Sequence, residues 1–576
     1  MKFGLNLKTR LGACLLFMTA LCALPLSSAS VTVFGADAPE TASESPKIIA
    51  SVIVNSLEEA WNGSERIADA MQYKELLTGL RGLVRIQFES YIDLSKPIGA
   101  VIAVDGDDVA PFIFFSLTEL SSPPDLKKEP FRTLNEKELN YLLDEDNLLL
   151  ITPSKFNEVV SSFPKESCLP APSAEGYDTI VTATINVDAL PEELIESVAA
   201  VLRQQFAELV EDDEIIDLQS IDEALEKYSE LVDAVEQLQW RLYVDPDANL
   251  VSEGTITVDP ESSLAPSSEP ALTRWNAIAE TPDAIFASAG AGANPDELAV
   301  DVSENVRTAI HENLLEALYV EIDDIETFEL VEEILGYIEE ALVAEMKSTQ
   351  YDSGFAITSE PFSIVVASIC AAPEEFQKAS DAIVNRIREV NPELADAFDT
   401  EEVEDYKVTN LKLNLDEILG ADELDDDFED VYPPLIKGQN FILKYGLSSD
   451  ALLFIITFDE DYADKEFKRI VQNSKDLAPQ KSEATFNVSQ LAVGVRNLIA
   501  SYSDVNPLAV ETFDIIANAK NVKIVFSKGV EDNVYKSRAT AQRELFEALG
   551  DVIRLNLALG GGNDDEGEDL DDLFNE

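Results

Sequence analysis

The residues best spaced for chemistry are those of the acidic run 245–249, Asp-Pro-Asp-Ala-Asn. Its oxygen-bearing side chains stand at positions 1, 3 and 5, as in the first half of a calcium-binding loop. The second half does not follow, because Leu250 stands where such a loop needs glycine and Ile256 where it needs a bidentate glutamate. The same run suits a turn between two apolar segments, Arg241 to Val244 and Thr255 to Val258. We therefore predict a hairpin and keep weak calcium binding as an alternative.

Carboxylates are abundant elsewhere, with clusters at 105–108, 422–430 and 564–572 among 111 acidic residues. A pair at the separation that a glycosidase needs is bound to occur by accident in such a chain. Abundance alone therefore does not indicate hydrolysis, and solvated acidic loops are the simpler interpretation. A carboxylate-dependent hydrolase is kept as an alternative function.

Three asparagines, Asn186, Asn414 and Asn487, each stand near the end of a predicted strand and just before a predicted helix. They would form a shared polar site only if the fold brought the three junctions together. A local role is simpler, since asparagine at such junctions satisfies nearby backbone groups.

Other familiar motifs are incomplete. The small-residue stretch 288–294 has the position of a phosphate loop but lacks the Gly-Lys-Ser/Thr and dinucleotide patterns, so it predicts a tight turn. His311 is the chain's single histidine and lies on a predicted helix flank. Trp61, Trp240 and Trp275 occupy apolar positions typical of a core. We predict no catalytic, cofactor-binding or metal-binding residue.

Cysteines place further limits on metal sites. Cys14 and Cys22 lie in the N-terminal apolar segment, which leaves Cys168 and Cys370 in the remaining chain. Two thiols and one histidine are too few for a structural zinc site. Cys370 ends an apolar strand pattern and is predicted to be buried, whereas its pairing with Cys168 is left open.

The formal net charge of −70 excludes several classes of partner. A surface this acidic repels nucleic acid and anionic lipid headgroups, which bind basic patches. It suits a protein that stays soluble in high salt, or one with a cationic partner, and charge alone does not distinguish these. The chain's 46% hydrophobic residues are enough for large cores.

Residues 1–30 have the order of a secretory signal peptide: basic residues, an apolar run, then small residues. The run from Leu11 to Leu24 is 14 residues long, shorter than the roughly 20 that span a membrane. We predict cleavage near Ala29 or Ser30, export to the periplasm or the extracellular space, and no stable membrane insertion of the mature chain. Residues 31–46 are predicted to form a flexible leader.

The body of the chain is organised around strand-to-helix junctions. In the stretch Thr179–Phe206, alternating apolar residues turn into helical spacing at Asp188, a predicted N-cap. A similar junction is predicted at 486–491, and 48–51 and 150–152 have counterparts at 285–288 and 455–457. Helical spacing also extends from Ile221 to Leu238 and from about Arg538 to Leu555. Residues 48–54 predict a buried strand, and residues 56–59 have the form of a capping box that starts a helix.

These matches keep their order along the chain and predict a tandem duplication. The halves are residues 47–259 and 271–559, joined by a Pro/Ser-rich linker at 260–270, with an insertion around 350–430 in the second half and a disordered acidic tail at 560–576. Because hairpins separate the strand–helix units, the predicted fold is α+β, each half a mostly antiparallel sheet with packed helices.

The sequence therefore predicts an exported, acidic, non-catalytic protein that binds or scaffolds an unknown macromolecular partner. No cofactor is predicted, and the oligomeric state is left open. The hydrolase, with a site between the halves, and a calcium-responsive envelope protein of low affinity are the alternatives.

Overall fold

The structure is a computed structural model of the 576-residue chain. It describes residues 46–88, 91–105, 108–118, 139–143, 147–153, 156, 163, 176–191, 195, 234–262, 272–293, 336, 339, 343, 350–390, 397–414, 439–476, 481–500, 507–520, 522–531 and 534–560. The predicted signal peptide, nearly all of the leader, Cys168, His311, most of the linker and the acidic tail lie outside the described residues.

Eighteen strands form one sheet in the described part of the chain. The strands before residue 260 are β1 (Lys47–Val54), β2 (Ile98–Asp105), β3 (Asp108–Ser116), β4 (Leu139–Leu143), β5 (Leu148–Pro153), β6 (Asp178–Asn186), β7 (Val235–Val244) and β8 (Leu250–Val258). Those after it are β9 (Ala284–Ala293), β10 (Gln350–Ser359), β11 (Phe362–Ile369), β12 (Phe398–Val403), β13 (Tyr406–Asn414), β14 (Asn440–Leu447), β15 (Ala451–Thr457), β16 (Glu483–Asn487), β17 (Lys523–Glu531) and β18 (Val534–Ala541).

Eight α-helices accompany the strands in the described residues. They are α1 (Leu57–Ala70), α2 (Lys74–Phe88), α3 (Asn276–Ala279), α4 (Pro373–Val390), α5 (Glu460–Asp476), α6 (Val488–Ala500), α7 (Pro507–Asn518) and α8 (Arg543–Gly560), with a 3-10 helix at Val187–Ala189. Ser56 caps α1 as its sequence predicts, because its hydroxyl accepts a hydrogen bond from the Glu59 N–H at 3.0 Å.

Strand pairing gives the order β4-β5-β3-β2-β1-β6-β7-β8-β18-β17-β16-β9-β10-β11-β15-β14-β13-β12, and every paired neighbour is antiparallel. The prediction of an α+β fold with antiparallel strands is confirmed. The expectation of a separate sheet for each half is wrong, because β8 and β18 pair from Leu250 with Ala541 to Thr257 with Val534.

One face of this sheet carries two apolar cores at its outer parts. The larger core packs α3 and α5 onto the strands, with Ile278, Phe467 and Ile455 fully buried. The second core gathers Phe112 and Phe163, whose ring centroids lie 4.5 Å apart, and its neighbours on β1, β2 and β3. Burial of such side chains is the main favourable term that holds the layers together.

The opposite face carries α1, α4 and α6. Gly63 of α1 lies so close to β7 that a Cβ there would be 3.1 Å from the Val244 Cγ2, and Gly494 of α6 lies equally close to Ser359. Phe376 of α4 packs against Leu447 and Cys370, which is buried as the sequence predicts. Helices therefore cover this face over β6 and β7, over β9 and β10, and over β14 and β15.

Three segments differ from their predicted structure. Val235 and Leu238 lie in β7 although their spacing suits a helix, and Arg538 lies in β18 rather than in the following helix. Residues 288–293 continue β9 instead of forming a turn. In each case pairing with neighbouring strands overrides the local pattern, since a strand's conformation depends on its neighbours.

Candidate binding face

The six central strands, from β6 to β16, present a polar surface between the two apolar cores, on the same side of the sheet as those cores. Side chains alternate between faces along a strand, and directly paired residues share a face, so register assigns each side chain. We call this surface the central polar face. Its described polar side chains are Thr179, Thr182, Thr184, Asn186, Gln237, Gln239, Arg241, Tyr243, Glu253, Thr255, Thr257, Glu483, Thr485, Asn487, Lys523, Ser527, Lys536, Arg538 and Thr540.

A row of directly paired residues crosses the whole face and continues into both cores. Glu253 of β8 faces Arg538 of β18 at its middle, where the first and second parts of the chain meet. The row consists of Gly99, Ile53, Thr182, Arg241, Glu253, Arg538, Ser527, Glu483, Ala289 and Gly354.

Among the described side chains of the central polar face, basic residues outnumber acidic ones, the reverse of the whole chain. The described side chains of the face include four basic residues, Arg241, Lys523, Lys536 and Arg538, against the acidic Glu253 and Glu483, whereas the whole chain has 41 basic and 111 acidic residues. An antiparallel sheet can expose a polar face to water without further function. Solvation alone does not explain why this face is basic.

Tyr243 of β7 and Glu253 of β8 form a hydrogen bond between neighbouring strands of the central polar face. The Tyr243 hydroxyl donates a hydrogen bond to Glu253 Oε2 at 3.4 Å, and the Tyr177 ring packs edge-on against Tyr243 with centroids 5.5 Å apart. Burial raises the pKa of the Tyr243 hydroxyl, and the Glu253 carboxylate raises it further against the opposing charge of Arg538. Tyr243 is therefore neutral at physiological pH, so its hydroxyl keeps its proton and serves as the hydrogen-bond donor to the Glu253 carboxylate.

A polar cleft of about 430 Å³ lies at one end of the same junction. The β7–β8 turn, the start of β17 and the start of α8 form its walls. Asn249 ties two of these together, because its Oδ1 accepts a hydrogen bond from the Arg543 N–H at 2.9 Å. The lining residues are Asp247, Asn249, Lys523, Gln542, Arg543 and Glu544. The cleft offers both charges and amides, which suits polar recognition.

The run 245–249 forms the predicted hairpin turn. Asp245 Oδ1 accepts hydrogen bonds from the backbone N–H groups of Asp247 and Asn249, at 3.0 and 2.9 Å. Its Oδ2 accepts from the Asn249 side chain at 3.0 Å. These bonds engage the oxygens that the calcium alternative would need, and within the described ranges no group of three or more His, Cys, Asp or Glu side chains is arranged to hold a metal.

The three asparagines are not brought together. Asn186 lies on β6, Asn487 on β16 and Asn414 on β13, so five strand steps separate the first two, a distance of about 24 Å. Asn186 donates to the Ile48 carbonyl oxygen at 2.8 Å, and Asn487 accepts from the Ser489 hydroxyl at 2.8 Å. Asn487 therefore bonds locally, as expected. Asn186 instead bonds across the sheet to β1 and β7, where its Oδ1 also accepts a hydrogen bond from the Gln237 side-chain amide at 2.7 Å. Asp188 lies inside the 3-10 helix rather than at its cap, which is Asn186.

Trp275 is fully buried in the larger core, whereas Trp61 and Trp240 are half-buried. Trp240 donates from its indole N–H to the Ser252 hydroxyl at 2.8 Å. The acidic clusters 422–430 and 564–572 lie outside the described residues.

Reasoning from the sequence missed the central polar face. One signal was present: residues 519–543 contain six basic residues and two acidic ones. This reversal of the overall charge indicated a distinct surface, but a helix was predicted to begin at Arg538, so Lys536 and Arg538 were not placed on a strand beside β8.

In the described ranges, every helix is too short or too polar to cross a membrane. No protein-family model, no curated protein and no solved structure matches this chain.

Proposed function

We propose that this chain is an exported, acidic, non-catalytic protein that binds another macromolecule in the periplasm, the cell envelope or the extracellular space. The central polar face is its binding surface. The single observation that carries this proposal is the basic character of that face, on a chain with a net charge of −70. Rows of Arg, Gln and Thr side chains on a rigid sheet suit a polar, extended partner.

The architecture that we propose for it is a tandem duplication. Outward from Glu253 and Arg538, the strand order repeats: β8-β7-β6-β1-β2-β3-β5-β4 on one side and β18-β17-β16-β9-β10-β11-β15-β14 on the other. The central row supports this equivalence, since it ends in a glycine, Gly99 or Gly354, the same number of strands from the junction. In this alignment α4, β12 and β13 are the insertion, a narrower segment than residues 350–430.

A shared hydrogen bond supports the same equivalence. Thr152 at the end of β5 donates from its hydroxyl to the Pro111 carbonyl oxygen at 2.8 Å. Thr457 at the end of β15 donates to the Phe362 carbonyl oxygen at 2.9 Å. Both threonines are buried, so each bond satisfies a hydroxyl that would otherwise be costly to bury.

The first residue of the mature protein tests the prediction of export. We expect the protein recovered from the periplasm or culture medium to begin just after Ala29 or Ser30. Intact mass measurement of the purified protein checks this. A cytoplasmic protein that retains residues 1–30 would contradict export.

Binding is tested by reversing charge on the central polar face. The variant Lys536→Glu/Arg538→Glu should lose a partner that the wild-type protein captures from the envelope or medium. The control Lys465→Glu/Lys468→Glu makes the same charge change on exposed positions of α5 and should capture as the wild type does. Equal capture by all three proteins would contradict binding through this face.

The hydrolase alternative has one observation in its favour, the cleft at the junction with Asp247 and Glu544 in its lining. Hydrolysis of chromogenic glycosides by the wild type and its loss in Glu544→Gln would support it. The calcium alternative is tested by thermal melts with calcium and with chelator at fixed ionic strength, which should coincide if calcium does not bind.

A further inference from the structure

Basic residues gather at the junction on consecutive elements of the chain. Lys523 on β17 and Lys536 and Arg538 on β18 lie on the central polar face. Arg543 opens α8 beside Lys523, with its Nε 2.9 Å from Glu547 Oε1. Lys523 and Arg543 also line the cleft. We call these four residues the basic border. It joins the cleft to the middle of the face.

The chain itself contains an acidic segment, whose charge is complementary to that of the basic border. Residues 561–576 contain eight acidic residues and no basic one. At physiological ionic strength the Debye length is about 8 Å. The acidic segment is therefore attracted by basic side chains within that distance, whereas its repulsion from more distant acidic residues is screened. Charge complementarity thus favours the basic border as its contact.

Residues 561–576 are also long enough to reach the basic border. Helix α8 starts at the cleft and runs for 18 residues, a length of about 27 Å. The 16 residues that follow it can extend over about 53 Å. The segment is therefore long enough to return along α8 to the basic border.

We infer that the central polar face recognises acidic polypeptide segments, and that residues 561–576 occupy its basic border in the free protein. This inference rests on the proposed binding function of the face and names the chemistry of its partner. A polypeptide of such acidic composition can make this contact without a fixed conformation. Because it is tethered, its effective concentration is about 1 mM, so it competes with any acidic partner of lower concentration.

The test uses a fluorescent peptide of sequence 561–576 and full-length proteins. In one variant, the tail-neutral protein, the eight acidic residues of 561–576 are changed to the corresponding amides. By fluorescence anisotropy at about 0.15 M NaCl, the tail-neutral protein should bind the peptide about tenfold more tightly than the wild type does, because its own tail no longer competes.

Two further variants in the tail-neutral protein locate the contact. Lys523→Glu/Arg538→Glu should weaken peptide binding about tenfold, whereas Lys465→Glu/Lys468→Glu should leave it unchanged. Circular dichroism melts confirm that each variant is folded. Equal binding by the wild-type and tail-neutral proteins, or equal binding by the two charge-reversed variants, would overturn the inference.

The outcomes separate this inference from the proposed function. Loss of the envelope partner in Lys536→Glu/Arg538→Glu together with no peptide binding would keep the proposed function and reject the acidic ligand. Peptide binding at the basic border without any captured partner would support the tail contact and reject the proposed function.

Discussion

At the scale of single residues, Lys444 is a buried lysine held between two carboxylates. It lies on β14 beneath α5 with its side chain 1% exposed, and its Nζ lies 2.6 Å from both Glu401 Oε1 and Asp464 Oδ1. The ammonium also lies 5.5 Å from the Phe467 ring centroid. A buried lysine is tolerated only when such partners compensate for its lost hydration.

Removing both partners should therefore destabilise the protein. We expect Glu401→Gln/Asp464→Asn to lower the free energy of unfolding by about 2 kcal/mol, less than for a fully buried pair because both carboxylates are partly exposed. Adding Lys444→Met should restore most of the lost free energy of unfolding, since it removes a buried ammonium that has no carboxylate partner in the double variant. Urea unfolding at neutral pH measures both. A triple variant less stable than the double would contradict this role.

The same ion pair predicts a pH dependence. The hydrogen bond from Lys444 lowers the pKa of Glu401 below its usual value of 4.5, despite some burial. A lowered folded pKa means that the group stabilises the fold above the unfolded pKa and that this contribution is lost as the pH falls through the folded pKa. Wild type and Glu401→Gln should thus differ in unfolding free energy at neutral pH, and this difference should begin to shrink below pH 4.5 and vanish once the pH is below the folded pKa of Glu401. A gap that widens on acidification would contradict the assignment.

At the scale of elements, close approach of strands explains Gly99 of β2. A Cβ built on Gly99 would lie 2.5 Å from the Val52 carbonyl oxygen, a backbone atom that cannot move aside cheaply. We expect Gly99→Ala to lower the free energy of unfolding by about 1 to 3 kcal/mol. Chemical denaturation checks the value.

Gly79 on α2 provides the matched control. A Cβ there would meet nothing within 4 Å. Because alanine favours a helix over glycine, Gly79→Ala should raise the free energy of unfolding by up to about 1 kcal/mol. Equal effects of the two substitutions would show that crowding at β2 is not the cause.

Elements were predicted well where the signal is local. The hydroxyl of Ser56 and the apolar run of β1 are enough to start α1 and to specify a buried strand. Prediction failed for β7 and β18, where Val235 and Arg538 were assigned to helices. Their strand conformation depends on β8, which pairs with both.

At the scale of the whole molecule, the β8–β18 pair joins the two parts of the sheet. Proline at Ser537 would remove a backbone donor from an internal strand and leave its partner carbonyl unpaired, which costs about 1 to 3 kcal/mol. We expect Trp240 and Trp275 to report one unfolding transition in the wild type and two in Ser537→Pro. Single-tryptophan variants followed by fluorescence measure this. Ser537→Thr is the control and should keep one transition.

Net charge predicts the effect of salt. With −70 charges the folded protein repels itself, and raising NaCl from about 0.1 to about 1 M shortens the Debye length from about 10 to about 3 Å. We therefore expect the melting temperature to rise over this range. Differential scanning calorimetry measures it, and a melting temperature that falls with salt would contradict dominant self-repulsion.

Composition and short-range patterns were enough to predict the overall charge, the hairpin at 245–249, the start of α1, the burial of Cys370 and the α+β class. These properties depend on composition or on contacts within a few residues, so a local pattern is sufficient. The pairing of β8 with β18 and the continuity of the sheet follow only from the folded arrangement. Glu253 and Arg538 are far apart in the chain, and strand pairing over that separation depends on the packing of all the intervening elements. The basic central face therefore exists only in the folded molecule.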